Sequence, residues 1–171
     1  MGRTSPASFG AGLLHGKMAA MNDTGTRQNR PPYAYVPGQT PRHAEAAFDS
    51  ICETARGSDG IAALERSEAW RTGWDWLRTG YYWEAHELFE AVWMALPQNS
   101  RERQMVQGLI QVANGQLKRK MGREKAVSKI IKRAEEHLRA CSASGQDVLL
   151  GVPVATLEEM VAALHLPQRD R

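Results

Sequence analysis

Tyr81-Tyr82-Trp83-Glu84-Ala85-His86-Glu87-Leu88-Phe89-Glu90-Ala91-Val92-Trp93 puts one histidine, three glutamates and five aromatic rings into thirteen residues. No proline or glycine interrupts the stretch, and its apolar positions recur at intervals of three and four, so it reads as a helix. At about 100° per residue, Tyr81, Ala85, Leu88, Phe89, Val92, Trp93 and Leu96 share one face, the side expected to enter a core. His86 and Glu90 fall together on the Trp93 flank of that face, with Glu87 further round and Glu84 near the opposite edge. A core gains nothing from a histidine and carboxylates at its border unless they are paired or used. Partial desolvation there shifts proton affinities, which makes His86 and Glu90, with Glu87, the candidates for catalysis.

Working outward, turn and cap residues divide the rest into further helices. Thr40-Pro41 reads as the start of a first helix with Ala44, Ala47, Phe48, Ile51 and Cys52 on one face and Gly57 as its stop. Ser67 caps a second helix that carries Trp70, Trp74 and Leu77 and is closed by Gly80. The quoted stretch is the third. After Pro97, Ser100 caps a fourth helix through Met105, Val106, Leu109, Ile110, Val112, Ala113 and Leu117. Gly122 separates it from a fifth with Val127, Ile130, Ile131, Ala134 and Leu138, and Thr156 with Glu159 forms a capping-box pattern for a last short helix. No segment alternates at period two. The expected fold is all-α, a compact antiparallel helical bundle of about five to six helices joined by short connections.

The 171 residues fit one domain, expected over 36–171, behind a leader over 1–35 that is rich in Gly, Ser, Thr, Asn and Pro and is read as flexible and disordered. Within Arg30 to Gly38 the prolines impose extended backbone, and Tyr33 and Tyr35 could fasten this piece over the bundle as a strap. With 42% hydrophobic and 24% charged residues the composition is that of an ordinary globular protein. Cys52 and Cys141 are too few for a disulfide framework and read as reduced thiols, which points to the cytoplasm. No apolar run is long enough for a membrane span.

The fourth helix carries Gln104, Gln107, Gln111, Asn114 and Lys118 along one side of a broad apolar surface. Amides can be buried when satisfied, so this stripe is a candidate second wall facing His86 and Glu90, with Glu84, Trp93, Gln107, Gln111 and Asn114 as ligand-binding candidates. The bland reading is a solvated helix edge beside an ordinary i,i+4 pair. His86 and Glu90 one turn apart can also chelate one divalent metal ion; two ligands do not complete a site, His15, His43, His137 and His165 show no ligand spacing of their own, and His43 or Glu87 is the candidate to complete it.

Basic residues gather at Lys118, Arg119, Lys120, Arg123, Lys125, Lys129, Lys132 and Arg133 against Glu124 alone, which accounts for much of the net charge of +3. Such a face can neutralise phosphates, but no aromatic residues interleave with it, and a solvated helix face is favoured over nucleic acid. There is no phosphate-binding glycine loop, nucleophile elbow or CxxC pair.

Gly80-Tyr-Tyr-Trp-Glu-Ala-His-Glu-Leu-Phe-Glu-Ala-Val-Trp93 followed by Gln107-Gly-Leu-Ile-Gln-Val-Ala113 resembles a family of small bacterial helical proteins known as domain of unknown function 309. The likeness spans roughly Trp74 to Leu138. It implies a compact helical domain without an assigned activity, whose motif falls on Glu84, His86, Glu87, Glu90, Trp93, Gln107, Gly108 and Gln111.

Two readings stand side by side. One is a ligand, metal or hydrolytic site in which His86 acts as base or ligand, Glu90 and Glu87 orient or coordinate, and Gln107 and Gln111 position a polar ligand. The other is a structural or interaction module whose polar cluster is an internal hydrogen-bond network, with a homodimer expected on base rates.

Overall fold

A computed structural model describes residues 30–143, 145 and 147–167. The leader expected over 1–35 therefore lies mostly, over 1–29, outside the described residues. Among those described, seven helices follow one another: α1 (Asp49–Arg56), α2 (Ile61–Arg66), α3 (Glu68–Thr79), α4 (Tyr82–Ala95), α5 (Arg101–Lys120), α6 (Glu124–Ser142) and α7 (Val154–His165). A two-stranded hairpin, β1 (Val148–Leu149) and β2 (Val152–Pro153), precedes the last helix. Among the described residues of the unit that begins at Pro31, the regular structure is helical apart from this hairpin.

The caps explain most boundaries. Ser67 Oγ accepts from Trp70 N and starts α3, and Gly80, in the left-handed region at φ 90°, ends it. Ser100 Oγ accepts from Arg103 N and starts α5. Two expectations fail at helix starts. Thr40 does not open α1: its hydroxyl accepts from Val36 N at 2.7 Å and donates to Ala34 O at 3.0 Å, closing a turn behind it, and the helix begins only at Asp49. Thr156 does not cap α7 either, because the hairpin delivers the chain to a start at Val154, whose N–H bonds Asp147 O. The short α2 and the hairpin carry no periodic signal strong enough to be read from sequence. The hairpin loop, Leu150-Gly151, has φ of 49° and 70°, the two positive values a tight two-residue turn requires. Leu150 accepts this strain while buried, and its carbonyl receives Trp70 Nε1–H at 3.1 Å.

The centre of the bundle is α4 and α5. Ala85, Leu88, Phe89, Ala91 and Val92 of α4 and Met105, Val106, Leu109, Val112 and Ala113 of α5 are buried, with Trp70, Trp74, Trp76 and Leu77 of α3 completing the core. Trp70 and Trp74 both meet Phe89 edge-on, at centroid separations of 5.7 and 6.1 Å. On its other side α5 uses small residues to admit α7: a Cβ on Gly108 would lie 2.9 Å from Leu157 Cδ2, and one on Gly115 would lie 3.1 Å from Leu164 Cδ2. Gly108 thus lets the last helix approach closely. The strap is ordered from Pro31, with Val36 buried and Gln39 Nε2 donating to Lys120 O at 2.8 Å. Among the described residues no helix is long and apolar enough to cross a membrane.

Candidate metal or ligand site on α4

One turn of α4 separates two polar clusters of different character. The first is built on Glu84, whose side chain is 0% exposed. Its Oε1 accepts the Tyr35 backbone N–H at 2.5 Å and faces His43 Nε2 at 2.7 Å, while Oε2 is buried with no hydrogen-bond partner. His43 itself is sandwiched: Tyr33 stacks on it at 4.9 Å, Phe48 meets it edge-on at 5.3 Å, and Trp83 lies tilted at 6.1 Å. A carboxylate removed from water is costly unless hydrogen-bonded, and here Oε1 is met by the Tyr35 N–H of the strap and by His43 while Oε2 is left bare. The helical wheel placed Glu84 away from the core because it considered α4 alone. The strap covers that edge, so the apparent solvent side of the helix is interior.

The second cluster is His86, Glu87 and Glu90. His86 Nε2 lies 3.0 Å from Glu90 Oε1, with side-chain exposures of 18% and 50%. One donor atom from each of His86, Glu87 and Glu90 falls within 4.8 Å of the other two. Glu87 is half-buried, and its proton affinity is raised above the usual carboxylate range, chiefly by desolvation, with Glu90 and Glu84 adding to the rise and His86 and Arg42 opposing it. Arg42 lies over the Trp83 ring, 5.7 Å from its centroid, so a cation stands near this cluster. His86 Nδ1 is buried without a partner.

The amide stripe on α5 divides. Gln104 Oε1 is 2.9 Å from His137 Nδ1 on α6, which turns it away from α4. Gln111 is 9% exposed, and Gln107 and Asn114 are half-buried. Among the described residues no hydrogen bond links Gln107, Gln111 or Asn114 to His86 or Glu90. Trp93 is covered by the Arg103 guanidinium, 3.9 Å above the ring, which also donates to Leu96 O. His43, one of two residues offered by the sequence to complete a metal site with His86 and Glu90, instead faces Glu84. Spacing along a helix cannot reveal its actual partner, 41 residues away.

Residues 70–130 match the family model of a domain of unknown function, DUF309. No curated protein and no solved structure matches the chain.

Proposed function

We propose that this chain, whose residues 70–130 carry the DUF309 domain, uses α4 to bind a divalent metal ion through His86, Glu87 and Glu90. The observation that supports this reading is the convergence of one imidazole nitrogen and two carboxylates within 4.8 Å of one another at the edge of the core. An imidazole with two carboxylates suits zinc, manganese or ferrous iron, and three protein donors leave coordination positions for water or a substrate. A bound ion would offset the desolvation of Glu87 by supplying positive charge where Glu84 and Glu90 now supply negative. The bound metal would supply a Lewis acid or an activated water. The protein's part is to hold the donors on a rigid helix whose other face is locked in the core.

A second reading, the structural module, draws support from Glu84: a buried carboxylate tied to Tyr35 and His43 fixes the register of the strap against α4. The two readings concern adjacent turns and are separable. Calorimetric titration of the full chain with zinc and with manganese should show one site, lost in His86→Ala and weakened in Glu90→Gln. Absence of binding by wild type at millimolar metal would sink the metal reading and leave the structural one.

A further inference from the structure

Five exposed cations at and beyond the start of α6 make no ion pair among the described residues. Of the eight basic residues between Lys118 and Arg133, the fold occupies two and half-buries a third. Arg119 is buried and donates to the carbonyls of Ala163 and Leu164 at the end of α7. Lys120 Nζ donates to Gly80 O at 3.1 Å and lies over the Tyr82 ring, and Lys118 is half-buried. Arg123, Lys125, Lys129, Lys132 and Arg133 are exposed, and among the described residues none makes an ion pair. The nearby acids are largely taken: Glu124 faces Arg119 at 3.8 Å and Glu135 faces His165 at 2.9 Å, which leaves Glu136. Lys125, Lys129, Lys132 and Arg133 lie within about 100° of one another around α6 and span about 12 Å of its axis. The opposite face of α6, with Val127, Ile131, Ala134 and Cys141, is buried in the bundle. The ridge is therefore held on a fixed rod.

We propose that this ridge binds double-stranded DNA through its phosphates, without reading sequence. The chemistry on the ridge disfavours a membrane, an apolar protein interface and a single strand. The large hydrophobic residues exposed among those described, Met94, Val148 and Leu166, all lie elsewhere. The ridge thus has no apolar anchor for insertion into a membrane and no aromatic anchor for a protein partner. Single strands are held by stacking on aromatic rings, which this surface lacks. A helix bearing long cationic side chains fits the major groove of a B-form duplex, about 12 Å wide, and reaches phosphates on its walls. The grip is electrostatic and follows counterion release.

Fluorescence anisotropy of the full chain with a labelled duplex of about 20 base pairs tests this directly. Engagement of four phosphates gives a slope of log K against log salt near about −3.6, so affinity should fall roughly 100-fold between about 50 and 200 mM salt. Lys129→Gln combined with Lys132→Gln, both exposed and leaving the helix signal in circular dichroism unchanged, should reduce the slope by about two. Arg71→Gln with Arg78→Gln, an equal loss of charge at exposed positions of α3, should leave the slope unchanged. The proposal is overturned by any of four results: no binding at about 50 mM salt, equal losses in the two double variants, preference for single strands, or binding to phosphatidylserine vesicles in place of duplex.

Discussion

Glu84 Oε1 lies 2.7 Å from His43 Nε2, and neither side chain is more than 7% exposed, although 41 residues separate them in the chain. This pair fastens the strap to the central helix. Removing one partner of a buried pair leaves the other stranded, at a cost of about 3–5 kcal/mol. Glu84→Ala should therefore lower stability by about 3 kcal/mol, and Glu84→Gln, whose amide oxygen still accepts from Tyr35 and His43, by less. Urea midpoints measure both, and a loss below about 1 kcal/mol for Glu84→Ala would mean that the pair does not secure the strap.

His86→Ala should behave in the opposite way. The His86–Glu90 contact is an i,i+4 pair with a half-exposed partner, a type worth about 0.3–0.5 kcal/mol. Expected losses are about 1 kcal/mol or less, with metal binding abolished. Should His86→Ala unfold the protein as readily as Glu84→Ala, the second cluster is structural.

Gly73 sits against the Phe89 ring: an added Cβ would lie 2.8 Å from Cε1 and 3.1 Å from Cδ1. The ring is buried among Trp70 and Trp74 and cannot retreat. Gly73→Ala gains about 1 kcal/mol of helix propensity yet should destabilise the protein on balance, since overpacking costs about 1–3 kcal/mol. Thermal unfolding at unchanged or higher midpoint would contradict this.

Burial lowers the proton affinity of His137, with Glu136 opposing the shift. The native state therefore binds fewer protons than the unfolded chain once pH falls to the ordinary histidine range. Stability should decline from about pH 6.5 downward until the lowered native value is passed, and be insensitive to this group above. His137→Gln should remove its part of that decline, seen as a smaller difference between urea midpoints at neutral and mildly acidic pH. An unchanged difference would show that His137 does not carry it.

Cys52 and Cys141 are both free and buried, and burial raises both thiols above the usual cysteine range. Native protein should react slowly with an aromatic disulfide reagent, whereas denatured protein should release two equivalents at once. Rapid native labelling of either would show local opening of α1 or α6.

The helices α3, α4, α5 and α6 were legible because each carries local, periodic instruction: an apolar face at helical spacing, with Ser67, Gly80, Ser100 and Gly122 as punctuation. Phe89 and Leu88 could be assigned to the core on that basis alone. The His86–Glu90 pairing was legible for the same reason, since one turn of helix fixes it. Thr40 misled because a threonine hydroxyl serves a turn behind it as well as a helix ahead, and only the neighbouring chain decides between them.

The sequence by itself determined the helical architecture, the residues sharing each helix face and the pairing of His86 with Glu90, because helical geometry converts spacing into proximity. Only the tertiary structure decided that Glu84 is interior, that Gln104 serves His137, and which of the eight cations are free. Those outcomes depend on the strap and on α6 and α7, elements distant in the chain, whose approach sets which polar atoms lose water and which find a partner.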